Sequence, residues 1–183
     1  MKHDLIIRGG KLVTANETYT ADIGIKDGRI ATLGENLDGN DIINADKKLV
    51  MPGGIEAHCH IAQESANGIM TSDDYETGSV SAAFGGNSCF VPFAAQKRGE
   101  SIASTIAEYD QRTETKSVID YSYHLILTDP NEKVLNELPS AFERGITSFK
   151  VFMTYATRVS DAQFLDILTI ARRHGGLTMV HAE

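Results

Sequence analysis

Residues 50–60 read Val-Met-Pro-Gly-Gly-Ile-Glu-Ala-His-Cys-His, an apolar strand segment that ends in two histidines, His58 and His60. Side chains on a strand alternate with period two, so both imidazoles point to one face and could hold a metal ion together. Cys59, between them, points the other way and reads as core packing. Pro52-Gly53-Gly54 marks a crossing between two rhythms of sequence.

Upstream of that crossing the chain reads as short strands and tight turns. Leu5-Ile6-Ile7 and Lys11-Leu12-Val13-Thr14 flank Arg8-Gly9-Gly10, which predicts two short strands joined at a glycine turn or bulge. Asp22–Lys26 and Arg29–Leu33 frame Asp27-Gly28, a strong hairpin signal. Asp38-Gly39-Asn40 then turns the chain into Ile42-Ile43 and Lys48–Met51. Residues 1–51 are expected to form a small antiparallel sheet, or part of a β-sandwich, with His3 at a mobile end. Some fifty residues make a marginal core, so one face of this sheet should be covered by other chain.

Downstream, residues 52–183 alternate strands and helices. Strands are predicted over 55–60, 87–92 (closed by Pro92), 120–127, 148–155 and 177–181. Helices are predicted from a Ser72 cap to Gly85-Gly86, with Tyr75, Ser79, Ala82 and Ala83 packing inward, then over 99–113 and 131–144, and from a Ser160 cap to Gly175-Gly176. Such a run of βα units makes a parallel sheet. An eight-stranded β/α barrel takes about 250 residues, so this stretch suits roughly its first five strands. The chain stops just past the fifth strand, where a parallel sheet would be left with an open edge. The expectation is a portion of a larger barrel.

Composition narrows the function classes. With 42% hydrophobic and 23% charged residues the chain is an ordinary globular one. Its net charge of -8, with scattered lysines and arginines, offers no basic stripe for a phosphate backbone, which argues against nucleic acid. Neither a membrane-spanning run nor a signal peptide is visible, so a cytoplasmic protein is expected, and two cysteines are too few for a disulfide framework.

In β/α barrels the working groups gather at the C-terminal ends of the strands, so His58, His60, Lys150 and His181 could share one pocket. Lys150 lies between Phe149 and Val151, where an unpaired ammonium is costly to bury. An ion pair, a stem reaching the barrel mouth, or carbamylation by carbon dioxide would each relieve that cost. His124 suits core or supporting use, and His174 suits the negative end of a helix. Asp73, Asp74 and Glu76 read as a helix N-terminus. Gly9-Gly10 and Gly85-Gly86 lack the context of a phosphate-binding loop.

The chain resembles the cyclic amidohydrolases of the dihydropyrimidinase and hydantoinase type, within the amidohydrolase superfamily. The resemblance rests on Leu5–Gly10, Asp27–Ile30, Met51–Ile55, His58-Cys59-His60, Asp73–Gly78 with Ala83–Gly86, Phe149–Met153 and His181-Ala182-Glu183. It implies an α/β fold: a metal-dependent hydrolase barrel of the TIM-like (β/α)8 kind, here about its first five strands, preceded by the N-terminal half of a composite β-sandwich. It further implies two divalent ions, zinc or alternatively manganese. His58 and His60 would hold the more buried ion, a CO2-derived carboxylate on Lys150 would bridge both, and His181 would hold the second. Tyr155 would bind the substrate carbonyl and support the oxyanion, with Gln63 in the substrate loop.

The implied reaction is hydrolysis of the cyclic amide of a hydantoin, dihydropyrimidine or related imide by a metal-bridging hydroxide, in a homotetramer or homodimer. Glu56 stands where the family usually carries aspartate, which suggests a supporting carboxylate beside the metal site. Asn87-Ser88 replaces the usual paired threonines after Gly85-Gly86. The family's further metal histidine and its catalytic aspartate come from strands six and eight, so residues 1–183 alone are expected to be inactive, with the missing C-terminal barrel portion as their partner. Allantoinase, dihydroorotase and a non-catalytic dihydropyrimidinase-related scaffold are the alternatives. The first loop lacks basic residues for a dihydroorotate carboxylate, and retention of all four ligands argues against the scaffold.

Overall fold

The computed structural model describes residues 2–65 and 67–183 and divides into two compact units, Met1–Pro52 and Gly53–Glu183. The first unit contains β1 (His3–Val13), β2 (Thr18–Lys26), β3 (Arg29–Gly34), β4 (Gly39–Asn44) and β5 (Leu49–Val50). Its sheet runs β3-β2-β1-β4, with β5 also on β1. The β2–β3 turn follows the sequence signal, because Asp27 (φ 51°) and Gly28 (φ 72°) both adopt the left-handed conformation a two-residue hairpin requires.

Three expectations for this unit change. Residues 3–13 form one strand, whose register with β2 slips between Ile7 and Gly10; Gly9 (φ 68°) absorbs the bulge and donates its N–H to Asp22 Oδ1 at 2.8 Å. The sheet is mixed, since β4 and β5 pair parallel to β1. Once β2 occupies one edge of β1, the chain must cross to the other, and the crossing is held by Leu37 N–H on Asp22 Oδ2 (3.1 Å) and Arg8 Nη2 on Leu37 O (2.7 Å). His3 is buried, not mobile: its ring bonds Asp38 O (3.0 Å) and Thr32 Oγ1 (2.9 Å) and lies over Gly24. Ile6, Leu12, Ala21 and Ile23 are buried, while Ile30, Leu33, Ile42, Ile43 and Leu49 are exposed.

The second unit contains β6 (Gly54–Cys59), α1 (Tyr75–Phe84), β7 (Asn87–Ala95), α2 (Ile102–Thr113), β8 (Asp120–Tyr121), β9 (His124–Ile126), α3 (Glu132–Glu143), β10 (Ser148–Phe152), α4 (Asp161–His174) and β11 (Leu177–His181). All pairs in its sheet are parallel, in the order β11-β10-β9-β7-β6, with β8 also on β7. Strand order follows chain order and consecutive helices pack on one another. That winding belongs to a β/α barrel, whereas a doubly wound sheet reverses direction partway. The unit is therefore a partial (β/α)8 barrel, five βα strands of it. Among the described residues no helix is long and apolar enough to cross a membrane.

Local chemistry explains where the elements depart from expectation. Pro92 lies inside β7, not at its end; it offers no N–H, and the ladder to the third strand is interrupted beside it, splitting that strand into β8 and β9. Asp74, not Ser72, caps α1, because its carboxylate accepts from Glu76 and Thr77 N–H while the Thr77 side chain returns to the Asp74 N–H. The buried face of α1 is Tyr75, Gly78 and Ser79, with Gly78 seated against Ile61. Ser101, Asn131 and Ser160 cap the other helices. Phe90, Leu125, Leu127, Leu138, Phe149, Val151 and Ile167 form the centre of the core.

Candidate metal centre

The β6 strand ends at Cys59, one residue earlier than expected, so His60 stands in the loop that follows. Both histidines still face the same neighbour, Phe93 of β7: the His58 and His60 rings each lie 4.9 Å from the Phe93 ring and 5.8 Å from each other. Burial, then the nearby Glu56 carboxylate, pushes the Cys59 thiol up to about 11, and its side chain packs against the core, so it stays protonated. Glu56 turns back on its own strand, where Oε1 accepts the His58 backbone N–H at 2.8 Å. Gln63, expected at the substrate, accepts from His60 Nδ1 at 2.6 Å.

Across the sheet, Lys150 Nζ lies 6.0 Å from the centre of the Phe93 ring and 5.5 Å from that of Phe152. Register pairs Phe152 with His181, and their rings stack at 5.3 Å. Tyr155 lies beyond β10, which ends at Phe152, and its backbone is left-handed (φ 65°). Its hydroxyl donates to Glu183 Oε2 at 2.7 Å, and His181 Nε2 meets the same oxygen at 2.9 Å. That carboxylate raises the Tyr155 pKa, so the phenol keeps its proton at neutral pH, while His181 and Tyr155 lower that of Glu183. His58, His60, Lys150, His181 and Tyr155 thus lie along one continuous line of contacts through Phe93 and Phe152.

His124 is buried, with both ring nitrogens engaged: Nε2 on Ala57 O at 2.9 Å and Nδ1 on Ser148 Oγ at 2.5 Å. Burial lowers its pKa, which keeps the ring neutral. Sequence reasoning had not assigned Phe93, Ser148 or Glu183 to the site. Ser148 precedes Lys150 by two on one strand, and Glu183 follows His181 by two, so period-two spacing carried a signal for both.

The donor set suits divalent ions. Two imidazoles sharing one ion through bonds of ~2.0–2.1 Å have ring centres roughly 5–6 Å apart, as His58 and His60 do. The Gln63 oxygen accepts a hydrogen bond from Nδ1–H of His60, which keeps the proton on Nδ1 and leaves Nε2 with a free lone pair. Among the described residues, no carboxylate pairs with Lys150, and no three His, Cys, Asp or Glu side chains converge enough to hold an ion by themselves.

No family model matches the chain. The D-hydantoinases of Ralstonia pickettii and Geobacillus stearothermophilus are 43% and 41% identical to it over 183 residues, covering 98% and 97% of this chain and 40% and 39% of theirs. The dihydropyrimidinase of Rattus norvegicus is 33% identical over 189 residues, covering 98% of this chain and 36% of its own. A solved D-hydantoinase structure superposes with a TM-score of 0.93 at 43% identity, covering 98% of this chain and 40% of that one. The dihydropyrimidinase structure from Brevibacillus agri NCHU1002 gives 0.92 at 39%, covering 100% and 40%. The chain spans about two fifths of the length of the curated relatives it matches. By sequence and by fold, the chain belongs to the D-hydantoinase and dihydropyrimidinase family, of which it represents an N-terminal portion.

Proposed function

We propose that the protein to which this chain belongs hydrolyses the cyclic amide of a hydantoin, a dihydropyrimidine or a related imide. The observation that carries the reading is the placement of Lys150, without an anionic partner among the described residues, between His58 and His60 on one side and His181 on the other. Its neutral amine adds to the carbon of CO2 and loses a proton, giving an Nζ carboxylate. His58, His60, the Lys150 carboxylate and His181 are the residues that would hold the ions. Two divalent ions, zinc or manganese, lower the pKa of a water and polarise the substrate carbonyl when bound.

The chain's own residues do the rest. Gln63 fixes the His60 tautomer, and Glu56 holds the amide before the His58 side chain. Tyr155 leaves Glu183 and donates its hydroxyl to the carbonyl oxygen as negative charge develops there. The oxygen of water bonds the carbonyl carbon, the ring C–N bond breaks, a proton from that water ends on the departing nitrogen, and a hydantoin or dihydropyrimidine gives an N-carbamoyl amino acid. The proposal extends to a further histidine and an aspartate outside this chain, to homodimers or homotetramers in the cytoplasm, and to absence of turnover by residues 1–183 alone.

The test joins chemistry to composition. Carbon-13 bicarbonate labelling should show a carbamate carbon that Lys150→Ala removes, together with the bound zinc or manganese and the hydrolysis of hydantoin and dihydrouracil. Full hydrolysis by Lys150→Ala would sink the reading.

A further inference from the structure

We infer that His124 is a positioning residue that fixes the Ala57–His58 peptide and so aims the His58 imidazole, an inference resting on the metal site proposed above. Pairing of β6 with β7 passes from Glu56↔Phe90 to Cys59↔Pro92, three steps on one strand against two on the other. The extra residue is a bulge at Ala57-His58, and a bulged peptide loses its ladder partners. Its polar groups must be satisfied some other way.

Two side chains do so. The N–H of that peptide donates to Glu56 Oε1 at 2.8 Å, and its carbonyl, Ala57 O, accepts from His124 Nε2 at 2.9 Å. A carbonyl can only accept, so Nε2 carries the ring proton. Nδ1 is then the acceptor, and the Ser148 hydroxyl, 2.5 Å away, donates to it. One tautomer satisfies both bonds and leaves no nitrogen free for an ion.

The ring also links strands. His124 sits on β9 opposite Phe93, with its ring 5.3 Å from the Phe93 ring that supports His58 and His60. It reaches past β7 to the β6 backbone, and through Ser148 it holds β10 two residues before Lys150. A single buried imidazole therefore ties the strand that bears His58 and leads into His60 to the strand bearing the lysine.

Co2+ titration of the protein, read by its visible absorption, tests the inference. His124→Phe keeps a ring but neither bond, and should weaken Co2+ binding by about 10- to 100-fold and change the spectrum of the bound ion. His124→Gln, whose amide N–H can replace Nε2–H toward Ala57 O, should stay close to the unaltered protein. Should the phenylalanine variant fail to fold, His124→Asn, too short to reach Ala57, should show the same loss. A folded Phe or Asn variant that melts earlier yet binds Co2+ with unaltered affinity and spectrum overturns the inference. Failure of the unaltered protein to bind Co2+ overturns the metal reading and this inference with it. Nitrogen-15 histidine spectra of the unaltered protein add a readout independent of metal and of variants: an Nε2–H tautomer is expected at His124, and Nδ1–H overturns the assignment.

Discussion

Tyr155 combines two properties that rarely meet in one residue: a left-handed backbone without glycine, and a hydroxyl shared with the His181 cluster. A φ of 65° is costly for an aromatic side chain, and the loop is held in part by Arg98 Nη2 on Ala156 O at 2.7 Å. Because the proposed hydrogen bond strengthens only as charge develops, Tyr155→Phe in the complete protein, with the barrel portion that residues 1–183 lack, should lower kcat by about 10²–10³-fold and leave KM nearly unchanged, in steady-state kinetics on dihydrouracil. An unchanged kcat would remove Tyr155 from the chemistry. The residue's identity was legible through its resemblance to a family tyrosine just past the fourth strand. Its backbone conformation and its bond to Glu183 were not, because both depend on where the loop after β10 meets the end of β11.

Among the elements, α1 shows how a cap couples to pH. Lys116, 2.7 Å from Asp74, together with the N–H groups of the first turn, holds the Asp74 carboxyl at about 2, below its ordinary value near 4. A depressed folded-state pKa contributes stability that is complete above the unfolded value and is lost as pH falls through the folded one. Asp74→Asn keeps a capping oxygen but not the charge. Its melting temperature should therefore lie below that of the unaltered protein at pH 7, with the gap closing between about pH 4 and pH 2 as the Asp74 charge is lost. A gap constant with pH would contradict the assignment. In the first unit, a Cβ at Gly24 would lie 2.5 Å from the His3 ring, which is bonded at both nitrogens and cannot step aside. Gly24→Ala should cost about 1–3 kcal/mol in urea unfolding, and a neutral result would mean that the ring moves.

At the scale of the whole molecule, each unit has its own buried cluster and its own exposed apolar surface. In the second unit β6 and β11 each pair on one side only among the described strands, and Ile55, Leu177 and Val180 are exposed on them. Unpaired strand edges carrying apolar side chains template association. A sample of residues 1–183 should therefore associate with rising concentration in light scattering, and Val180→Lys should reduce that association. A monodisperse monomer at high concentration would count against it. In the core, Leu125 is fully buried, so Leu125→Ala should destabilise by about 2–5 kcal/mol in denaturant unfolding.

The sequence by itself determined the alternation of strand and helix, the glycine and Asx punctuation that ends each element, and the family to which the chain belongs, because these depend on local periodicity and on motifs read in line. It could also pair Asp27 with Gly28 in a hairpin, set His58, His60 and His181 at strand ends, and put Lys150 within the fourth strand. Tertiary structure alone decided that β4 and β5 run parallel to β1, that Pro92 lies inside a strand, and that His3 is buried, since each depends on which edge or cavity the rest of the fold leaves open. It alone also decided how the Ala57–His58 peptide is held: its partners, Glu56 and His124, are one and 67 residues away from Ala57, and only the curled sheet brings the distant one to it.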